Sequence, residues 1–207
     1  MSSAPPHRCG EAFRLNKLFS MPSPFETETG TVLMLEPTWA REGELRAQLL
    51  DESYAKPFVV DDGKSRFLYF NVRLMQSEMA LKAPNDLSLR YTQKMMAFLL
   101  FHPRPRRIDL IGLGGGSLIK FCYHRMPGTQ LTAIELDRDV IALRDTFLLP
   151  EDGPRLQVLN VDGAEYLEQT EKGIDVLLVD AFDKTGFAPS LANREFFENA
   201  FAKLTGN

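Results

Sequence analysis

The stretch Ile108–Ser117, IDLIGLGGGS, joins an apolar run to four glycines within the five positions from Gly112 to Gly116. The apolar run is typical of a buried strand, and the following SLIKFCYHRM has the spacing of a helix. Glycine permits backbone conformations and close approaches that a side chain would prevent. The stretch therefore predicts a strand-to-helix turn whose backbone lies directly against a ligand.

Downstream of this turn, predicted strands and helices alternate to the end of the chain. Interleaved helices imply βαβ crossovers, because two parallel strands need a long connection. The pattern predicts an α/β domain with a parallel sheet flanked by helices and a site at the carboxyl ends of the strands. The expected strands are TQLTAIEL, RLQVLNVD and IDVLLVD, and the expected helices are RDVIALRDTF, AEYLEQTE and NREFFENAFAKL.

Upstream, the pattern changes to short β runs. TVLMLE and RAQLLDE are predicted strands, and Asp61-Asp62-Gly63 marks a turn between two further apolar segments, as in a β-hairpin. After Pro84, LSLRYTQKMMAFLLF has helical spacing. We therefore divide the chain into a proline-rich arm at 1–30, a small antiparallel β domain at 31–83 and the α/β domain at 84–207.

Composition excludes several classes of function. The 207 residues are 44% hydrophobic and 25% charged with a net charge of -4, which argues against nucleic acid as a partner. No apolar run has the length of a membrane span, and the first residues lack the apolar core of a secretory signal. Cys9, Cys122 and the three histidines are scattered, so we expect neither disulfide nor metal. We expect a cytoplasmic protein without a membrane partner.

Acidic residues follow three of the predicted strands. Glu135 ends the second strand, roughly 20 residues beyond Gly112, where nucleoside-binding α/β domains place an acid on the ribose hydroxyls. Asp162 ends the third strand, and Asp180 ends the fourth, with Asp183 shortly after it. Asp162 also stands where it would cap the helix AEYLEQ, a role that can coexist with ligand binding.

A dinucleotide dehydrogenase is the first alternative for this arrangement. Its G-x-G-x-x-G turn would need glycine at position 117, where this chain has serine. Strand-end carboxylates would also repel a pyrophosphate, whereas they favour a positively charged donor without phosphates. Sulfonium nucleosides fit that description. Gly112, Gly114 and Gly116 have the phase with which class I methyltransferase-like domains approach the tail of S-adenosylmethionine.

Taken together, the motifs resemble the spermidine synthase (polyamine aminopropyltransferase) family, of which the chain looks like a divergent member. The resemblance extends from about Phe67 to Leu204. It rests on the order of FLYFNVRLMQSE, HPRP, the glycine loop, AIELD, NVDGAEYL and VDAFD. It implies transfer of an aminopropyl group from decarboxylated S-adenosylmethionine to a polyamine acceptor, without a metal, in a homodimer.

The resemblance also implies roles for single residues. Asp180 would be the general base, and Asp183 would bind an amine of donor or acceptor. Glu135 would hold the ribose, and Gln76 would line the donor pocket. The adenine would lie at Asp162, Gly163 and Ala164, the donor tail at Gly112, Gly114, Gly115 and Gly116, and the acceptor at Tyr91 and Gln93.

Three departures from the family pattern affect these roles. Gly115 stands where the family usually has an acid that disfavours the carboxylate of intact S-adenosylmethionine, so that selection should be relaxed. Tyr91-Thr92-Gln93 replaces the common Tyr-His-Glu, and DAFDK replaces the usual sequence around the two aspartates. The family also continues beyond Leu204 with further strands, so we expect a carboxyl-terminal part of the sheet to be missing from this chain.

Three functions remain open at this point. Aminopropyl transfer is favoured by the preceding β domain, Gln76, Asp180 and Asp183. Methyl transfer from S-adenosylmethionine is favoured by Gly115, which leaves room for the donor carboxylate. A homologue that binds the nucleoside without turnover would use Asp180 and Asp183 only as loop caps. Both transfers proceed by in-line attack at a carbon bound to sulfonium, so position decides between them.

Overall fold

The computed structural model describes residues 16–183 and 186–206, which form an antiparallel sheet followed by a parallel sheet with helices. The antiparallel sheet has five strands in chain order. Asp61-Asp62-Gly63 forms the predicted hairpin turn, with the Asp62 carboxylate accepting from the backbone of Lys64 and Ser65. The strands are β1 Asn16–Pro22, β2 Thr31–Pro37, β3 Phe58–Asp61, β4 Ser65–Asn71 and β5 Leu74–Ala80.

Strand β1 lies inside the segment predicted as an arm. It pairs with β2 over seven residues and buries Met21, so the sheet begins at Asn16 rather than at Thr31. Pro22 ends this strand, and β1 is at the edge of the sheet, where proline removes no hydrogen bond that a neighbour needs. The predicted arm at 1–30 is therefore corrected in its second half, and residues 1–15 lie outside the described part of the chain.

The predicted strand RAQLLDE is wrong, because the segment belongs to helix α1, Glu42–Leu50. Leu45 and Leu49 are four residues apart and both buried, so they pack from the same helix face. Glutamate, arginine, alanine, glutamine and leucine are all good helix formers. The helical spacing of Leu45 and Leu49, together with these helix formers, therefore favours a helix over the predicted strand.

The parallel sheet confirms the predicted α/β architecture. Its strand order is β8-β7-β6-β9, which places the glycine-loop strand β6 between two neighbours. The predicted helix after Pro84 divides into α2, Arg90–Met95, and a 3-10 turn, Met96–Leu100. The strands are β6 Arg107–Ile111, β7 Gln130–Glu135, β8 Leu156–Asn160 and β9 Val176–Val179, and the helices are α3 Ser117–Arg125, α4 Arg138–Ala142, α5 Gly163–Gln169 and α6 Arg194–Lys203.

A short antiparallel pair follows β9, with β10 at Phe182–Asp183 and β11 at Gly186–Phe187. It keeps the chain close to the strand ends before α6. None of the helices within residues 16–183 and 186–206 combines the length and apolar composition that a bilayer span requires.

The two sheets share a buried interface. Val59, Leu68 and Met79 of the antiparallel sheet pack against Leu143 and Phe147, which follow α4. This interface positions β5 beside the glycine loop. The antiparallel sheet can therefore contribute side chains to a site at the end of β6.

Lys120 of α3 is fully buried at this interface. Its ammonium donates to the Phe147 carbonyl at 2.7 Å and contacts the Met79 sulfur at 2.9 Å. Burial lowers the pKa of Lys120 to about 8. Because neither contact carries a negative charge, the ammonium is costly to bury.

This burial predicts a pH-dependent stability. The folded pKa of Lys120 lies below its unfolded value, so above about pH 8 the unfolded chain binds more protons and stability rises with pH. Relative to Lys120→Met, the free energy of unfolding of the wild type should increase by about 2 kcal/mol from about pH 7 to pH 10. Urea denaturation of both proteins across this range measures the difference, and a constant difference would contradict a titrating Lys120.

Candidate functional site

A cavity of about 840 Å³ lies at the carboxyl ends of the parallel strands. Its wall combines the turns after β6, β7, β8 and β9 with side chains from β5 and α2. Of the predicted site residues, it brings together Gln76, Tyr91, Gly112, Gly114, Glu135, Asp162, Gly163 and Asp180. The parallel topology explains the convergence of the residues at the turns, since all four strands end at one edge, whereas Gln76 and Tyr91 come from β5 and α2.

Gly112 occupies a position that only glycine fits. Its φ is 94°, and a Cβ there would overlap the backbone carbonyl oxygen of Asp180. Its own N–H donates to the Ile134 carbonyl on the other neighbouring strand. The loop start is therefore held between β7 and β9, and its bare backbone faces the cavity.

The other glycines divide into two groups. Gly114, with φ 51°, lines the cavity and has open space around it. Gly115 faces Ser77 and Phe147, and Gly116 caps α3 with φ 71° next to Leu149. Both were predicted to contact the donor, but neither is on the cavity wall.

Glu135 connects strand β7 to the glycine loop. One carboxylate oxygen accepts from the Leu113 N–H at 2.9 Å, and the other accepts from the Asp137 N–H at 2.9 Å. Burial raises the pKa of Glu135, while these hydrogen bonds act in the opposite direction. The carboxylate is thus fixed in orientation at the cavity wall, with lone pairs left for a ligand.

Asp162 has the predicted capping role at α5. It accepts from the N–H groups of Ala164 and Glu165, and its other oxygen accepts from the Ser190 hydroxyl at 3.1 Å. A Cβ at Gly163 would lie 2.5 Å from an Ile111 methyl group, so the turn needs glycine here. Ala164 contributes its N–H to this cap and does not line the cavity.

Asp180 is hydrogen-bonded to Tyr91, which lies 89 residues earlier in the chain. The Tyr91 hydroxyl donates to the carboxylate at 3.1 Å. Burial raises the pKa of Asp180, and the Tyr91 hydrogen bond lowers it. Burial and the Asp180 charge both raise the pKa of Tyr91, so the hydroxyl keeps its proton at neutral pH. The backbone of Asp183 pairs with Gly186, but the side chain of Asp183 lies outside the described part.

Gln93 does not line the cavity, contrary to the acceptor role implied for it. Its side-chain amide donates to the Leu87 carbonyl at 2.7 Å, and Thr92 lines the cavity instead. Residues two apart on a helix face different directions, so Tyr91 and Gln93 cannot share the cavity side of α2.

The cavity wall is acidic. Glu135, Asp137, Asp162 and Asp180 line it, and no lysine, arginine or histidine does so among the described residues. Asp137 and Ser190 were missed from the sequence, although Asp137 stands two residues after Glu135 in the same turn. Within residues 16–183 and 186–206 there is also no group of three or more His, Cys, Asp or Glu suited to a metal. The wall suits a cationic ligand.

The fit of Gly112 against the Asp180 carbonyl predicts a large effect of substitution. Gly112→Ala adds a Cβ where the β9 backbone lies, and its φ of 94° disfavours any side chain. We expect it to lower the free energy of unfolding by more than about 2 kcal/mol. Gly128→Ala is the matched control, because nothing lies within 4 Å of a Cβ there. Equal unfolding midpoints for the two variants would contradict the close contact.

Solved structures support this fold. A probable spermidine synthase from Corynebacterium glutamicum superposes with a TM-score of 0.62 over 72% of this chain and 57% of that chain, at 20% identity. Human methyltransferase-like protein 13, solved in complex with SAH, superposes with a TM-score of 0.51 over 56% of this chain and 61% of that chain, at 21% identity. The two matches place the parallel sheet in the methyltransferase-like class of folds.

Comparison with related sequences identifies the family, whereas the solved structures show the fold alone. The polyamine aminopropyltransferase of Chromobacterium violaceum is 37% identical over 148 residues, which cover 71% of this chain and 57% of that protein. The chain thus spans just over half the length of this relative. The model of the spermine/spermidine synthase domain matches residues 89–207, more than half of the chain. The chain therefore belongs to the spermine/spermidine synthase domain family.

Proposed function

We propose that the protein transfers an aminopropyl group from decarboxylated S-adenosylmethionine to a polyamine acceptor. The observation that carries this proposal is the Tyr91–Asp180 pair at the wall of a cavity whose charged side chains, among the described residues, are all acidic. Membership of the synthase family supports it, because the curated relatives are named polyamine aminopropyltransferases. Both substrates are cations, which match the charge of the wall.

The nucleoside half of the donor would lie along β7 and β8. Glu135 is oriented by two backbone N–H groups and would accept from the ribose hydroxyls. Asp162, at the end of β8, would accept from the adenine amino group. Nothing lies within 4 Å of a Cβ at Gly114, which leaves room for the sulfonium near Asp180. Gln76 lines the same cavity from β5.

Asp180 would act as the general base. An alkyl ammonium has a pKa of about 10, so it must lose a proton before its nitrogen can attack. Asp180 attracts the cation and accepts that proton, and the partial burial that raises its pKa makes it a better base. Tyr91 holds the carboxylate in place.

The transfer itself is a displacement at carbon. The deprotonated amine attacks the propyl carbon bound to sulfur, so a C–N bond forms while the C–S bond breaks. The electron pair of the broken bond returns to sulfur, which leaves methylthioadenosine as a neutral thioether. Asp183 and Tyr91 would position the acceptor, and a homodimer stays a prediction from the family.

Methyl transfer from intact S-adenosylmethionine is the second candidate. It is favoured by Gly115, which carries no acid, and by the fold shared with a methyltransferase-like protein. The two reactions leave different products, since methyl transfer yields S-adenosylhomocysteine and aminopropyl transfer yields methylthioadenosine. A nucleoside-binding homologue without turnover would yield neither.

The role of Asp180 predicts a specific loss of turnover. Asp180→Asn keeps the shape of the side chain but cannot accept the proton, so kcat with decarboxylated S-adenosylmethionine and 1,4-diaminobutane should fall at least about 100-fold. Donor affinity should stay within about threefold, because the nucleoside contacts are elsewhere. Mass spectrometry of methylthioadenosine and the aminopropylated amine measures turnover.

Asp145→Asn is the control for this experiment, because Asp145 is an exposed acid after α4 and does not line the cavity. It should turn over like the wild type. Wild-type activity in Asp180→Asn would remove Asp180 from the mechanism. S-adenosylhomocysteine as the wild-type product would transfer the assignment to methyl transfer.

A further inference from the structure

The four acids of the cavity wall are unevenly distributed. In the strand order β8-β7-β6-β9, the glycine-loop strand β6 separates β9 from β7 and β8. Glu135, Asp137 and Asp162 follow β7 and β8, whereas Asp180 follows β9. Neighbouring strands lie about 4.8 Å apart, so about 10 Å separates the end of β9 from the end of β7. Asp180 therefore stands apart from the acids of the proposed nucleoside site.

On the side of Asp180, the cavity wall is formed by uncharged side chains. Helix α2, whose Tyr91 is hydrogen-bonded to Asp180, borders the cavity here together with β4, β5 and the turn after β9. Among the described residues, Asp180 is the only charged side chain that these elements contribute to the wall. The apolar and aromatic side chains that they contribute include Phe70, Met75, Tyr91 and Phe182.

The polar groups of α2 near this wall are already hydrogen-bonded within the protein. The Tyr91 hydroxyl donates to Asp180, and the Thr92 hydroxyl donates to a backbone carbonyl of the preceding turn at 2.7 Å. The side-chain amide of Gln93 donates to another backbone carbonyl and does not line the cavity. Helix α2 thus brings no charge that could pair with a second ammonium group of a ligand.

Two apolar side chains of this wall are open to the cavity. Met75 is 40% exposed and Phe182 is 52% exposed, and both line the cavity. A ligand gains free energy by covering apolar surface in proportion to the area that it removes from water. An ammonium group in the same place would lose water without gaining a charged partner. This wall therefore favours an apolar chain over a second cationic group.

Given the proposed aminopropyl transfer, we propose that the acceptor site takes primary amines with an apolar chain, so that alkyl monoamines are acceptors. The amine nitrogen lies at Asp180, and the chain lies along Met75 and Phe182. A polyamine needs only one of its nitrogens for this site. The inference names the acceptor class of the proposed reaction and rests on that reaction.

The step with a monoamine has the same balance as the step with a polyamine. Asp180 takes one proton from the ammonium, and the freed nitrogen attacks the propyl carbon bound to sulfur. The C–N bond forms while the C–S bond breaks, and the electron pair of the broken bond returns to sulfur. The products are methylthioadenosine and a 1,3-diaminopropane that carries the alkyl group on one nitrogen.

A series of amines tests this acceptor class with the wild-type chain. The value of kcat/KM is measured with decarboxylated S-adenosylmethionine and with propylamine, butylamine, pentylamine, hexylamine or 1,4-diaminobutane, by mass spectrometry of both products. Pentylamine and 1,4-diaminobutane have the same length and differ only in a methyl or an ammonium group at the far end. We expect kcat/KM for pentylamine to be at least about tenfold higher. Each added methylene group should raise kcat/KM about threefold.

Met75→Glu tests whether this wall holds the acceptor chain. Met75 is partly exposed on β5, an edge strand of the antiparallel sheet, so the exchange is compatible with folding. The new acid should lower the preference for pentylamine over 1,4-diaminobutane at least about tenfold, because it pairs with the far ammonium. Met75→Gln is the matched control, since it has a similar size without the charge. It should lower kcat/KM for pentylamine without raising that for 1,4-diaminobutane.

Three results would overturn the inference alone. They are a wild type that prefers 1,4-diaminobutane to pentylamine, a kcat/KM that does not rise with chain length, and equal changes of preference in Met75→Glu and Met75→Gln. In each of these cases the release of methylthioadenosine still supports aminopropyl transfer. If none of the amines yields methylthioadenosine, the proposed function fails as well.

Discussion

The site depends on the close contact of Gly112 with the backbone of Asp180. Because no side chain stands between them, strands β6 and β9 end side by side. The Asp180 N–H donates to the Ile111 carbonyl at 2.8 Å, and the Gly112 N–H donates to the Ile134 carbonyl at the same distance. Three strands are thus joined at the turn, which places the proposed base and the ribose acid on one wall.

This geometry makes the charge of the cavity a property of the fold. Parallel strands all present their carboxyl ends at one edge, so the acids at the ends of β7, β8 and β9 lie on one wall. The structure adds orientation, since Glu135 and Asp162 are held by backbone N–H groups and Asp180 by Tyr91. Such a wall favours cations. Ser77 and Ser117, which lie where β5 of the antiparallel sheet meets α3, line a polar part of the wall without an acid.

Much of this arrangement follows from local sequence. The alternating strands and helices, and the turn residues Gly112, Glu135, Asp162 and Asp180, could be predicted because each depends on a short segment and on the rule that parallel strands end together. The contact between Tyr91 and Asp180 could not, since 89 residues separate them and no local pattern encodes their meeting.

Other misses have similar causes. Helix α1 is short, so two buried leucines among helix formers did not stand out from the neighbouring strands. Strand β1 is rich in signals of irregular structure, with Pro22 at its end, and its pairing with β2 is a long-range contact. The direction in which Gly115 faces could not be predicted from the sequence either. Its sequence position implied contact with the donor, but the loop turns it toward Ser77 and away from the cavity.

The most direct test of the account is a crystal structure of the protein with methylthioadenosine and a diamine bound. The account predicts the ribose hydroxyls within hydrogen-bond distance of Glu135, the adenine amino group at Asp162 and an amine nitrogen facing Asp180. A nucleoside bound outside this cavity, or one with its sulfur turned away from Asp180, would contradict it.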